Sequence, residues 1–135
     1  MDIKKLEVSP EREVGGVWHK LDSVTSIKVA RYGNDKFSNK LQELVASLPK
    51  APKFARVEVQ KDEEYDGALN RIIADTILVD WKGMMYAGEE VPYSPEKAYE
   101  YLSDPKLKDF REHVLKLAME ASHYRDSQIE EAVGN

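Results

Sequence analysis

The sequence predicts a mainly α fold with an N-terminal β-hairpin: a small helical domain of the α+β class. Residues 17–32 alternate in side-chain character and are rich in β-branched residues, which is typical of strands. Later segments repeat apolar residues at three- and four-residue steps, which is typical of helices. Ser94-Pro95 and Asp104-Pro105 each place a capping residue before a proline, a pattern that begins helices. We expect residues 1–135 to form one domain.

The composition argues against several classes of protein. Hydrophobic residues make up 41% of the chain and charged residues 33%, which favours a soluble globular protein over a disordered one. The net charge of -5, without a run of Lys and Arg, argues against nucleic-acid binding. Cysteine is absent, so disulfides and thiolate metal sites are excluded. No apolar run approaches the roughly 20 residues that cross a bilayer, and residues 1–5 are no secretory signal, so we expect a cytoplasmic protein without membrane contact.

The N-terminal part is predicted to contain a polar, flexible arm over residues 1–15 and a β-hairpin over residues 17–32. Pro10 and the glycine pair at 15–16 interrupt regular structure in the arm. Turn-forming residues at 22–25 separate the two strands of the hairpin. An isolated hairpin is only marginally stable in water, so we expect one face of this hairpin to pack on helices or to pair with another chain.

Residues 35–127 are predicted to be the helical part. The first helix follows a turn at 33–35 and ends at Pro49, and its apolar residues are Phe37, Leu41, Leu44, Val45 and Leu48. Residues 50–53 form a connector, and residues 54–61 either begin the next helix or form a short extended piece. The central helix is predicted over residues 65–81, with apolar residues Tyr65, Leu69, Ile72, Ile73, Ile77 and Trp81 on one face.

An irregular loop at 82–93 is predicted to turn the central helix back onto a helix that starts at Pro95. The last helix carries an apolar face, comprising Leu107, Phe110, Val114, Leu117, Ala118, Ala121 and Tyr124. Residues 128–135 are polar and are predicted to form a flexible tail.

No constellation of reactive side chains is recognisable, so the chain is not expected to be an enzyme or to bind a cofactor or metal. His19, His113 and His123 lie in different predicted elements or ten residues apart, which does not suit shared ligation of one ion. Asp75 and Asp80 are five residues apart and would point to different sides of a helix.

The residues at the end of the central helix and on the last helix are the candidates for partner binding. They are Trp81, Met84, Met85, Tyr86, Phe110, Val114, Leu117 and Tyr124. Adaptable methionines in a loop suit a partner surface. Trp81 either caps the core or belongs to that surface. The alternative for the whole set is that the apolar faces carrying these residues pack internally, which would leave a compact monomer.

The order and spacing of several segments resemble the tail assembly chaperones of long-tailed bacteriophages and prophages. The similarity covers most of the chain, from the Gly16-Val17-Trp18 hairpin onward. Its most specific segments are Ala74-Asp75-Thr76-Ile77-Leu78-Val79-Asp80-Trp81-Lys82-Gly83, Val91-Pro92-Tyr93-Ser94-Pro95-Glu96-Lys97-Ala98 and the ending from Asp109-Phe110-Arg111-Glu112 to Tyr124-Arg125.

The resemblance implies a non-enzymatic protein that binds the long, apolar tape measure protein while tail tube subunits, made of the major tail protein, polymerise around it. It also implies self-association, release before the tail is finished, and therefore absence from the mature virion. Two alternatives remain at this stage: a structural tail or head-tail joining protein that stays in the virion, and a small enzyme or ligand-binding domain with a deep pocket.

Overall fold

The computed structural model describes the backbone of residues 1–48 and 59–126, and the side chains of residues 1–48 and 65–126. It confirms a small, mainly helical α+β fold. The helices are α1 (Pro10–Gly15), α2 (Asp35–Ser47), α3 (Val59–Thr76), α4 (Pro95–Ser103) and α5 (Lys108–Met119), and the strands are β1 (Val17–Lys20), β2 (Ser26–Val29), β3 (Leu78–Lys82), β4 (Met85–Tyr86) and β5 (Glu89–Glu90). The predicted connector at 50–53, residues 54–58 of the ambiguous stretch and the predicted tail at 128–135 lie outside the described residues.

The predicted N-terminal hairpin is confirmed, but it belongs to a larger antiparallel sheet with the order β1-β2-β3. The third strand corrects the prediction of a helix over residues 65–81, because α3 ends at Thr76 and residues 78–82 pair with β2. The physical reason is that a short apolar run such as Ile77-Leu78-Val79 suits a buried strand as well as a helix. Pairing with β2 satisfies the edge of the hairpin, which would otherwise need another partner.

The core lies between the inner face of this sheet and helices α3, α4 and α5. Ile27 and Val29 of β2 are fully buried and face the helices, as does Trp81 of β3. The core cluster comprises Ile27, Val29, Phe37, Ile72, Ile73, Ala74, Ile77, Leu78, Trp81, Ala98, Tyr101, Leu102, Val114 and Ala118. The helix period thus explains which residues of α3 are buried, while the two-residue period of the strands separates the two faces of the sheet.

The N-terminal segment differs from the predicted polar arm over residues 1–15, because it contains helical turns that contact the C-terminal part. Ser9 accepts a hydrogen bond from the Arg12 backbone N–H and so caps α1, with Pro10 in the first position. The Ser9 N–H donates to the Tyr124 carbonyl at 2.7 Å, and Arg12 Nε donates to the His123 carbonyl at 2.9 Å. The same serine-proline signal that predicted α4 therefore begins a helix here as well.

The helices α2 and α4 begin at the predicted residues. Asn34 caps α2 by accepting from the Phe37 N–H, and Ser94 caps α4 by accepting from the Lys97 N–H. The last helix is shorter than predicted, because α5 ends at Met119 and a separate 3-10 turn follows over Ala121–Tyr124. No helix in the described part of the chain combines the length and apolar character that a membrane span requires.

Candidate partner-binding surface

A short hairpin, β4–β5, projects from the end of the sheet, and Gly83 fixes where it leaves β3. Gly83 has a φ of +68°, a backbone conformation that glycine adopts without strain. A Cβ atom at this position would overlap the carbonyl oxygen of Val24, so the backbones of the two turns approach too closely for any other residue. The Thr25 hydroxyl donates to the Gly83 carbonyl at 2.9 Å and holds the two turns together.

The β4–β5 hairpin is closed by a two-residue loop, Ala87-Gly88. Tyr86 lies opposite Glu89 and Met85 lies opposite Glu90, which leaves only these two residues in the turn. Ala87 has a φ of 51° and Gly88 a φ of 86°. Positive φ at both central residues is the requirement of the type I′ turn, which matches the twist of two paired strands. The prediction of an irregular loop over residues 82–93 is therefore wrong for residues 85–90, which form a hairpin.

Trp81 lies beneath the hairpin, within the core. Its indole N–H donates to the Val91 carbonyl at 2.7 Å, and its ring packs against Tyr93 and Tyr101 with centroid distances of 5.0 and 5.7 Å. Tyr86 of the hairpin also stacks against Tyr101, with a centroid distance of 5.9 Å. These ring contacts connect the hairpin to the core.

Tyr93 anchors the chain that returns from the hairpin to α4. Its hydroxyl donates to the Leu78 carbonyl at 2.7 Å, at the first residue of β3. Burial, and then the nearby carboxylate of Asp80, raises the pKa of Tyr93 to about 12. The phenol therefore remains protonated at neutral pH and keeps donating this hydrogen bond.

The four candidates around the hairpin fall into two groups. Met85 is 50% exposed and Tyr86 is 54% exposed, so both present apolar surface to solvent. Met84 is half-buried and packs against the core cluster. Trp81 is only 4% exposed, which corrects its assignment to a partner surface: the apolar pattern around it could not distinguish the last residue of a core face from an exposed one.

The four candidates of the last helix mostly belong to the core. Val114 and Tyr124 are fully buried, which corrects their assignment as partner-binding residues. The Tyr124 hydroxyl lies 3.1 Å from the Val29 carbonyl, and burial raises the pKa of Tyr124. Phe110 and Leu117 are half-buried and pack against the same core. The apolar face that the sequence pattern identified is the inner face of α5, which the sheet and the neighbouring helices cover.

A shallow apolar depression on the exposed side of α5 was not predicted from the sequence. Met119 is 59% exposed and Leu115 is half-buried. Together with Glu112, Lys116 and Glu120 they line an open depression of about 460 Å³. Leu115 and Met119 are four residues apart, so they form adjacent contacts on one helix face. This spacing was the available signal, but the longer inner pattern on the same helix obscured it.

Two of the three histidines lie in different elements, as predicted, but their rings meet in the structure. The rings of His19 and His123 lie edge to face with a centroid distance of 4.6 Å. Burial, followed by the charges of His123, His113 and Arg12, lowers the pKa of His19 to about 4. Sequence separation concealed this contact, because the 3-10 turn after α5 brings His123 back to β1.

The described side chains offer contact surface but no recognisable centre for metal chemistry. Within residues 1–48 and 65–126, no three His, Asp or Glu side chains come close enough to hold a metal ion. The hairpin instead presents Met85 and Tyr86 beside the exposed Glu89 and Glu90. An apolar contact surrounded by polar side chains is an arrangement that protein interfaces use.

These features define a small, mainly helical α+β protein with exposed apolar contacts at a hairpin and on a helix. The model of one family, described as YdaY prophage protein, matches residues 32–135, which include α2 to α5, β3 and the β4–β5 hairpin. The chain therefore belongs to the YdaY prophage protein family. No curated protein and no solved structure gives a significant match to the chain.

Proposed function

We propose that this prophage protein is a tail assembly chaperone. It binds the tape measure protein and helps to recruit major tail protein subunits during tail morphogenesis. It acts in the host cytoplasm by non-covalent contact, without catalysis, self-associates on its client, and leaves before the virion is complete. Membership of a prophage protein family supports the phage context, and the resemblance in the segments around Trp81, Pro95 and Phe110 supports the tail assembly role.

The observation that carries the proposal is the exposed Met85–Tyr86 strand of the β4–β5 hairpin. A chaperone for an elongated apolar client needs apolar side chains that remain accessible in the folded state. Methionine adapts to differently shaped client surfaces, and tyrosine supplies a rigid ring at a small entropic cost. The hairpin is held by the tyrosine and tryptophan rings beneath it, so little ordering is required when a client binds.

The α5 depression around Leu115 and Met119 supplies a second contact of the same kind. It is open and shallow, which suits the side of a helix rather than a small molecule. Glu112 and Glu120 at its margin keep the surface soluble before a client arrives. Two weak contacts on one molecule give binding that can still be reversed when tail subunits replace the chaperone.

Co-expression with the tape measure protein encoded with it tests the proposal. We expect the two proteins to co-purify, and the double variant Met85→Ser/Tyr86→Ser to bind about tenfold more weakly, because two half-exposed side chains contribute roughly 1.4 kcal/mol or more to binding. The matched control is Val45→Ser/Leu48→Ser, which removes two exposed apolar residues of α2 and its C-terminus. We expect this control to bind like the wild type.

Mass spectrometry of finished particles separates a chaperone from a structural component. A chaperone is absent from the mature virion, whereas a tail or head-tail joining protein is present in a fixed ratio to the tail proteins. A folded chain that fails to bind the tape measure protein, or a stoichiometric presence in particles, would contradict the proposal. Equal loss of binding in both double variants would show that the hairpin is not the client site.

A further inference from the structure

The solvent face of the β1-β2-β3 sheet carries a concentration of positive charge around Trp18. The register places Trp18 beside Lys28, and Lys20 beside Ser26, on the face opposite the core. Lys82 of β3 lies beside Ser26 on the same face. We call this surface, formed by Trp18, Lys20, Ser26, Lys28 and Lys82, the lysine-tryptophan face. A cleft of about 270 Å³ is lined by Trp18, Lys20, Ser26 and Lys82 of this face and by His19 of the same strand.

The lysines of this face contact the tryptophan ring instead of carboxylates. Lys82 Nζ lies 4.2 Å from the centre of the Trp18 ring, and Lys28 Nζ lies 5.8 Å from it. Such cation–π contacts hold an ammonium group in place without neutralising its charge. Among the described residues, Lys20, Lys28 and Lys82 take part in no ion pair within 4.0 Å.

The nearest carboxylates along the chain are engaged with the backbone. Asp80 lies opposite Lys28 in the register, but its Oδ1 accepts a hydrogen bond from the Trp81 N–H at 2.8 Å. Asp22, in the turn after β1, accepts from the backbone N–H groups of Val24 and Thr25. Each carboxylate keeps its negative charge, but neither forms an ion pair within 4.0 Å with a lysine of the face. Three lysines therefore outnumber the one aspartate that the register places among them, so the face carries net positive charge in a chain whose net charge is -5.

We propose that the lysine-tryptophan face binds an acidic segment of a partner protein. Carboxylates of the segment pair with Lys20, Lys28 and Lys82, and an apolar side chain of the segment packs on the exposed part of the Trp18 ring. Trp18 is 36% exposed, which leaves ring area available for such a contact. This inference rests on the charge of the face and is independent of the proposed client site, which lies on the β4–β5 hairpin and α5.

An acidic peptide suits this face better than a nucleic acid does. Single-stranded nucleic acid is usually bound by several stacked aromatic rings along a continuous basic groove. Here one ring is present, and the ammonium of Lys82 lies 4.2 Å from its centre. The net charge of -5 of the whole chain opposes, by repulsion, the binding of a long polyanion. A short segment with a few carboxylates avoids that repulsion.

The test uses the full chain and a fluorescein-labelled peptide of alternating glutamate and leucine. We expect the peptide to raise fluorescence anisotropy, to bind more weakly as salt increases, and to protect Trp18 from quenching by acrylamide. Trp81 is buried and contributes little to the quenching. The triple variant Lys20→Gln/Lys28→Gln/Lys82→Gln should bind about tenfold more weakly, since each partly exposed pair contributes up to about 1 kcal/mol.

The matched control is Lys36→Gln/Lys40→Gln/Lys106→Gln, which removes the same charge from exposed positions elsewhere. The proposal predicts that this control binds within about twofold of the wild type. Equal weakening in both triple variants would overturn it, because only net charge would then matter. Absence of binding, equal binding of a peptide of alternating glutamine and leucine, or displacement of the peptide by single-stranded oligothymidylate at lower concentration would also overturn it.

Discussion

The two tryptophans lie on opposite faces of one sheet and have opposite surroundings. Trp81 points inward and is 4% exposed. Its ring packs against Tyr93 and Tyr101, and its N–H donates to the Val91 carbonyl. Trp18 points outward, is 36% exposed, and contacts lysine ammonium groups. The difference teaches that the alternation of the strands, rather than the residue type, decides whether an aromatic residue stabilises the fold or remains available for recognition.

Replacement of each tryptophan by alanine is expected to give the largest contrast. Trp81→Ala should lower the free energy of unfolding by about 3–5 kcal/mol, because it leaves a cavity in the core and an unpaired Val91 carbonyl. Trp18→Ala should lower it by less than about 1 kcal/mol, as is usual for a partly exposed site. Urea denaturation followed by circular dichroism measures both values. Similar losses in the two variants would contradict the separation of the two faces.

The turn that ends β3 provides a second test. Gly83→Ala should lower the free energy of unfolding by about 2–4 kcal/mol, because its Cβ atom would overlap the Val24 carbonyl and its φ is positive. Gly88→Ala is the matched control, since Gly88 also has a positive φ but has open space around it. The control should lose only about 1 kcal/mol, from backbone strain alone. Thermal denaturation of both variants measures the difference, and equal losses would show that the close approach at Gly83 contributes nothing.

His19 follows Trp18 on β1 but points towards the inner face of the sheet, beside buried Ile27. Protonation of His19 therefore places a charge on the inner face and should lower the stability of the fold. Because the pKa of His19 is lowered from 6.5 to about 4 in the folded protein, the unfolded chain binds the proton first as the pH falls. The stability due to neutral His19 is present above pH 6.5 and is lost between pH 6.5 and about pH 4. We expect this loss to be roughly 1–2 kcal/mol, since solvent screens a partly buried group.

The variant His19→Gln isolates this contribution from the titration of carboxylates. Its free energy of unfolding, measured with urea at several pH values, should fall less steeply than that of the wild type over the same interval. Parallel pH curves for the two proteins would contradict the buried, neutral state of His19.

The smallest expected effect concerns the type I′ turn of the β4–β5 hairpin. Ala87 has a φ of 51°, which asparagine adopts more easily than alanine. Ala87→Asn should therefore raise the free energy of unfolding by about 0.5 kcal/mol, whereas Ala87→Val should lower it. Thermal denaturation measures both changes. A loss of stability in Ala87→Asn would contradict the assigned turn.

Local signals predicted much of the fold. The N-terminal hairpin and the starts of α2 and α4 follow from alternation, turn residues and capping, which depend on neighbours in the sequence. β3 could not be predicted in the same way. Residues 77–79 are all apolar, and their state depends on pairing with β2, about fifty residues earlier, which no local pattern encodes.

The candidate site was predicted only in part for the same reason. Met85 and Tyr86 were identified because they lie in a predicted loop, where adaptable side chains such as methionine suit a partner surface. Trp81, Val114 and Tyr124 were included because apolar residues at regular spacing indicate a covered face without showing what covers it. Met119 was omitted because the longer apolar pattern on the inner face of α5 obscured its four-residue spacing from Leu115.

Amide hydrogen exchange of the full chain, with and without the tape measure protein, tests the account most directly. We predict new protection in the β4–β5 hairpin and around Leu115 and Met119, while the amides of β2 remain protected in both states. No change at the hairpin on binding, or protection confined to other parts of the chain, would contradict the proposal that exposed Met85 and Tyr86 hold the client.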